Sequence, residues 1–241
     1  MLLVAANLLE AVTIAPAPSS AGDVARLTDR DTAPQYIGAV GAITLDADLG
    51  ATPAPASAWA LLHHNLTGVT VTLKSGDSYP AATTRDSLDP AAADVLRTFT
   101  PVTARHWRVS IPALAGGIAP AIGELFLAVP RVVTPAPTLP TGWPTVVGNV
   151  ARDRSPSGVP WATRRGPARA RLALEWTALP QAELLELLAA YTEAEEGALP
   201  LLLQDASGVL RWVTWTDAEL APEALGGGDF HVRATFEDIP Q

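Results

Sequence analysis

Short runs of alternating apolar and polar residues, broken by Gly, Pro and Asp, fill the first half of the chain. Val69–Lys74 (VTVTLK) alternates with the two-residue period of a half-buried strand and stops at Ser75–Gly76–Asp77. Arg105–Ile111 (RHWRVSI) places His106, Arg108 and Ser110 on one side and Trp107, Val109 and Ile111 on the other. Ala39–Leu45, Ala58–His63 and Leu125–Val129 read as further strands, and only Pro90–Thr98 suggests a helical turn. The apolar start, MLLVAANLLEAVTIA, predicts a first strand or a segment packed on the first domain. Many short strands with little helix predict a jelly-roll-like β-sandwich, two sheets burying alternate residues between them.

The period changes in the second half. Arg169–Trp176 alternates as a strand with one charged face. Pro180–Glu196 then carries Leu184, Leu187, Leu188 and Tyr191 at three- and four-residue spacing, with Pro180 suited to a first helical turn and Gly197 to the stop. Leu199–Gln204, a turn at Asp205–Gly208, Val209–Thr216 and Phe230–Phe236 complete one helix on an antiparallel sheet, an α+β domain. Between the halves lies TPAPTLPTGWP, residues 134–144. Its four prolines lack the amide hydrogen a helix or central strand needs, so it should run extended and stiff. The expected division is therefore a sandwich over 1–133, a linker over 134–144 and an α+β domain over 145–241.

Composition narrows what such a protein can do. Cysteine is absent, which excludes disulfides, thiolate nucleophiles and sulfur metal sites. Net charge is −9, and an acidic chain gains nothing from counterion release on nucleic acid. The start lacks the basic flank of a signal peptide, and no run reaches the roughly 18 apolar residues of a membrane span, so no membrane insertion is expected. Four histidines are present, without an H-E-x-x-H pair. Ser157 and Ser207 suit turns, and neither Gly116–Gly117 nor Gly226–Gly228 has phosphate-loop context. The expectation is no enzyme, no catalytic residue, no metal and no cofactor.

Two groups of residues remain as candidates for contact. Arg152, Arg154, Arg164, Arg165, Arg169 and Arg171 crowd a segment holding Asp153 as its lone acid, expected to begin as a long loop or arm. Their planar guanidinium groups suit paired bonding to acids on a neighbouring subunit, and nucleic acid or plain solvent are the other uses. Trp143 and Trp161 lie in proline- and arginine-rich loops and join them as interface anchors. Trp59, with His63 and His64 beside it in sequence, is either a core aromatic or a platform for a sugar ring.

Asp29–Arg30–Asp31, Asp48–Leu49–Gly50, Trp59 and the Arg105–Ile111 strand together resemble the discoidin, or coagulation-factor type C, sandwich, in the degenerate form found in tail proteins of long-tailed bacteriophages. Two departures stand out: the tryptophan usual after the Asp-Arg/Gly-Asp turn is missing, and no family ligand residue carries over. Arg169–Trp176, Leu184–Tyr191, Leu199–Leu203, Arg211–Trp215 and Phe230–Asp238 are similar in order to the second half of phage distal tail and tail-tip proteins. That resemblance implies a structural component of a virion tail, a homo-oligomeric ring contacting adjacent tail proteins. The rival expectation is a carbohydrate-binding module that recognises a host-surface glycan.

Overall fold

The computed structural model describes the chain apart from residues 19–21, 34, 79, 92–93, 139–144, 148–149, 155–159, 165–168, 218 and 240–241, and the side chains of 147, 150–154 and 160–164. The described residues are mainly β with a single α-helix. It forms two compact units: residues 6–130, and residues 1–5 together with the chain from Arg131 onward. The first strand, β1 (Leu2–Val4), therefore belongs to the later unit, where it pairs with residues some 200 positions away. An apolar Leu-Leu-Val run suits either core, so this partner could not be read from the pattern.

Nine strands build the sandwich of residues 6–130. They are β2 (Ile14–Ala17), β3 (Tyr36–Ile37), β4 (Ile43–Asp48), β5 (Pro55–His64), β6 (Val71–Gly76), β7 (Thr83–Leu88), β8 (Val95–Thr103), β9 (His106–Ile111) and β10 (Ala121–Ala128). One sheet has the order β2-β4-β9-β6-β7 and the other β3-β10-β5-β8, all neighbours antiparallel. The alternation in β6 and β9 is realised: Val71, Leu73, Trp107, Val109 and Ile111 point into a core shared with Trp59, Leu61, Leu125 and Leu127. The helical turn expected at Pro90–Thr98 is replaced from Val95 by strand β8, where β-branched and aromatic residues pair with β5. Bidentate pairs, Asp46 with Arg108 at 2.6 and 2.8 Å and Asp48 with Arg105 at 2.7 Å, link β4 to the chain entering and forming β9.

Every residue of β10 is buried, and one of them is Glu124. Its Oε2 accepts the Arg30 amide at 3.0 Å, while its Oε1 has no partner among the described residues. The Arg30 guanidinium is turned away to Glu10 at 2.5 Å, and its Cζ lies 6.0 Å from the Phe126 ring. Burial, with the charge of Asp29 adding to it, pushes the Glu124 carboxyl up to about 9, so it is held as the neutral acid.

The second unit is an eight-stranded sheet wrapped on a helix, with a separate two-stranded ribbon. After β1 come β11 (Arg131–Val132), β12 (Thr145–Val147), β13 (Val150–Arg154), β14 (Pro160–Arg164), β15 (Arg169–Pro180), α1 (Gln181–Glu193), β16 (Leu201–Gln204), β17 (Leu210–Trp215), β18 (Glu223–Gly226) and β19 (Asp229–Asp238). The order is β11-β1-β16-β17-β19-β15-β12, with β18 on β19. Helix α1 buries Leu184 and Leu187, as its spacing predicts, and also Ala190, against Trp176, Val213, Trp215, Val232 and Phe236, while Leu188 and Tyr191 of the expected stripe are partly buried. Full burial of a leucine such as Leu187 is worth about 1.5–3 kcal/mol. The helix stops where Gly197 turns with φ +90°; a Cβ there would sit 2.8 Å from the Trp215 carbonyl oxygen.

The start of the proline-rich seam closes this sheet. Val133 exchanges backbone hydrogen bonds with Met1 at one edge, and Thr138 exchanges them with Glu175 of β15 at the other. The chain thus crosses from edge to edge in five residue steps, and the sheet must curl to permit it. Trp176 donates its indole N–H to the Pro135 carbonyl at 3.1 Å. Arg131 bonds Glu186 at 3.1 Å and Glu193 at 3.2 Å, and Thr134 donates to Glu183 at 2.9 and 3.0 Å.

Two outcomes follow from these contacts. Because the folded state holds a proton on Glu124 that the unfolded chain releases near pH 4.5, its contribution is complete at low pH and is lost as pH rises toward 9. Melting curves of Glu124→Gln and the parent should diverge between pH 5 and pH 8, the parent falling by up to ~1.4 kcal/mol per pH unit relative to the variant. Parallel curves would rule this out. Arg131→Ala should cost about 1–3 kcal/mol in urea unfolding, since it leaves two carboxylates facing each other on the helix.

Candidate functional site

The register places the ends of β3 and β5 at the same end of the sandwich as the starts of β8 and β10, and His63 lies there, next to the last residue of β5. A strand residue would have φ near −120°, whereas His63 has φ +48°, a left-handed conformation uncommon outside glycine. Three groups hold it there. The His63 amide donates to Asp94 Oδ1 at 2.7 Å, its carbonyl accepts from Gln35 Nε2 at 2.5 Å, and its ring Nδ1 lies 2.7 Å from the Thr32 carbonyl oxygen. Gly123 makes the approach possible, because a Cβ there would lie 2.8 Å from the Thr32 oxygen and 3.0 Å from the His63 Cβ. Adjacent Asn65 uses both ends of its amide, donating to Ala119 O at 2.9 Å and accepting from Ala121 N at 2.8 Å. His64 Nδ1 accepts the Leu66 amide at 3.3 Å. Polar anchoring on this scale makes the end rigid.

Beside these groups the same end exposes apolar side chains. Ile37, whose strand partner is Ala121, is 45% accessible; Val40 is 64% and Ile118 56%. Exposed aliphatic carbon next to fixed polar groups is what a ligand with an apolar face and a hydroxyl edge requires. An exposed aromatic is missing here among the described residues.

The other expected contact, Trp59, is a correction. It is 1% exposed and donates its indole N–H to Asp86 Oδ2 at 2.8 Å, a bond from one sheet to the other, so no sugar can stack on it. The pattern contained its core role, but nothing in it pointed to Asp94, Gln35 or Thr32. These reach His63 only through folding, and the left-handed turn at His63 has no sequence signature.

The arginine segment also differs from its expectation. Where a loop or arm was expected, Val150–Arg154 and Pro160–Arg164 form a two-stranded antiparallel ribbon, Arg152 facing Ala162 and Arg154 facing Pro160. Its strands alternate weakly, which hid them beneath the turn residues. The side chains of Arg152, Arg154, Trp161 and Arg164 lie outside the described residues, as do Trp143 and Arg165 altogether. Arg169 and Arg171 are placed on β15, where both face Glu237 of β19, at 3.8 and 2.7 Å.

Chemistry of bond making finds little support. His231 sits between Glu175 at 2.6 Å and Glu223 at 3.5 Å, but on a sheet face where Arg233 also bonds Glu175 at 2.9 Å. His231 and Arg233 together hold the Glu175 carboxyl below the usual carboxylate range. This is a ladder of opposite charges with both ring nitrogens engaged. Among the described residues, no three His, Asp or Glu side chains converge as a metal site, and no helix is long and apolar enough to cross a membrane. A cleft of about 230 Å³ opens between Met1, Pro137, Leu172, Leu174, Leu203 and the turn at Asp205–Ser207. Its acid, Asp205, is occupied by the amides of Ser207 and Val209 and the Ser207 hydroxyl.

No family model and no curated protein matches the chain. Among solved structures it is similar to chitosan-binding module 1 of a chitosanase/glucanase from Paenibacillus sp. IK-5, at 17% identity over 52% of this chain and 99% of that one, with a TM-score of 0.44. Module 2 of the same enzyme, in complex with chitotriose, aligns at 18% identity over 51% and 100%, with a TM-score of 0.44. A Ruminococcus gnavus GH29 fucosidase aligns at 12% identity over 51% of this chain and 26% of its own, with a TM-score of 0.45.

Proposed function

We propose that this chain is a non-catalytic recognition protein whose sandwich is a carbohydrate-binding module for a host-surface glycan. The observation that carries the proposal is the juxtaposition at one sandwich end: exposed Ile37, Val40 and Ile118 beside the rigidly anchored His63, His64 and Asn65. A sugar offers a C–H face to the first set and hydroxyls to the second. The sandwich supplies stiffness, so little ordering cost is left to binding. The full-length protein on an oligosaccharide array should give a signal that Ile118→Asp lowers about tenfold, the order of one lost apolar contact and one buried charge penalty. A signal unchanged by that substitution, or no signal from the parent, refutes the proposal.

A second function, compatible with the first, belongs to the other unit: assembly in the tail of a long-tailed phage, as a ring contacting neighbouring tail proteins. The ribbon β13–β14 favours it. Among the described residues neither strand pairs with a third, so both outer edges present backbone N–H and C=O groups to a neighbour. Replacing residues 150–164 by a short Gly-Ser link should convert an oligomer to a monomer in light scattering. An oligomer that survives the replacement excludes the ribbon as its contact.

A further inference from the structure

The anchoring of His63 settles more than its position. A backbone carbonyl can only accept, so at 2.7 Å from Thr32 O the ring Nδ1 must carry a hydrogen. In the neutral ring that leaves Nε2 as a bare lone pair. The hydrogen bonds of His63 run through its amide, its carbonyl and Nδ1; among the described residues Nε2 has no hydrogen-bond partner. The side chain is neither sealed in the core nor free in solvent, being half-buried at the loop end. A left-handed φ at a non-glycine residue is strained and persists only where the surroundings impose it. Here Asp94, Gln35, Thr32 and the Cβ-free space at Gly123 impose it, and what they hold still is that lone pair.

We infer that His63 Nε2 is the acceptor that selects the ligand of this end, and that it selects a neutral glycan presenting a hydroxyl donor. This rests on the glycan reading of the site and adds a specificity to it. A hydroxyl hydrogen completes the ring's bonding, whereas a carboxylate, which only accepts, would bring lone pair against lone pair. The charges nearby act in the same direction. Asp94 bonds the His63 amide, Asp31 is the neighbour of Thr32, and the chain carries −9 in all, so an anionic sugar meets repulsion as well. His63 is thus a specificity residue whose tautomer is written by a main-chain contact.

The test uses the full-length protein on an array of neutral hexose and N-acetylhexosamine oligosaccharides beside their uronic-acid counterparts. Neutral glycans should bind and the uronic acids should not. His63→Asn tolerates the left-handed backbone yet is too short to place an acceptor where Nε2 lies, and should lower binding about tenfold, the size of one hydrogen bond. His63→Gln, which reaches with an amide oxygen, should recover part of the loss. The ¹⁵N resonance of Nε2 should move when the bound oligosaccharide is added, a response that a merely structural histidine would not show. Equal binding of uronic acids, or full binding by His63→Asn, overturns the inference while leaving the glycan reading intact. A parent that binds no sugar overturns both.

Discussion

The second unit depends on five residue steps of main chain. Val133 and Thr138 are tied to opposite edges of one sheet, and the distance those five steps can span fixes how tightly that sheet must curl. Once curled, the inner face can surround α1, and the apolar stripe of that helix meets residues from β15, β16, β17 and β19 together. Prolines suit the task because a closing segment needs a fixed path more than it needs hydrogen bonds of its own. Arg131 and Thr134 add direction, each bonding acids on the helix that the sheet encloses. The residues that read as a spacer between domains start as a clasp within one.

The sandwich solves its closure by different means. Its strands β5 and β10 are buried along nearly their whole length, so segments of the same unit must cover what a second sheet does not. The cover over β10 is polar at one point, where the Arg30 amide reaches Glu124. A carboxyl kept neutral can accept that bond without bringing charge into the interior. The arrangement shows which cost the fold avoids: ionisation is suppressed by burial, while the guanidinium that would have stabilised the anion is committed to Glu10.

Legibility in the sequence followed the range of the interactions. Helix α1 and strands β6 and β9 were evident because their periodicity is local and their burial follows it. The two-sheet class was legible for the same reason, and Trp107, Trp176, Trp212 and Trp215 are all 3% exposed or less. Membership of β1 was hidden because pairing with β16 is a relation between distant residues, to which three apolar letters contribute nothing specific. Strands β7 and β8 were obscured by their edge positions, where polar residues such as Arg85 and Arg97 replace alternation. At the sandwich end the sequence offers His63 and His64, but alternation places strand neighbours on opposite sides only on the assumption of an extended backbone. The φ of His63 breaks that assumption, and only the contacts of Asp94, Gln35 and Thr32 explain why it can.

Local rules fail where something other than packing is being held, and the two conspicuous failures of this sandwich differ in kind. Glu124 is enclosed on every side, and its discomfort is absorbed by taking up a proton. His63 cannot relieve its backbone in that way, because φ does not titrate. Three hydrogen bonds and a missing Cβ are spent on keeping it in place, and none of them satisfies its outermost nitrogen. A position needed only to end strand β5 would be served by glycine or asparagine at lower strain. An imidazole there, oriented by its own main-chain bond, carries a ring nitrogen farther from the backbone than either of those residues could place a polar atom.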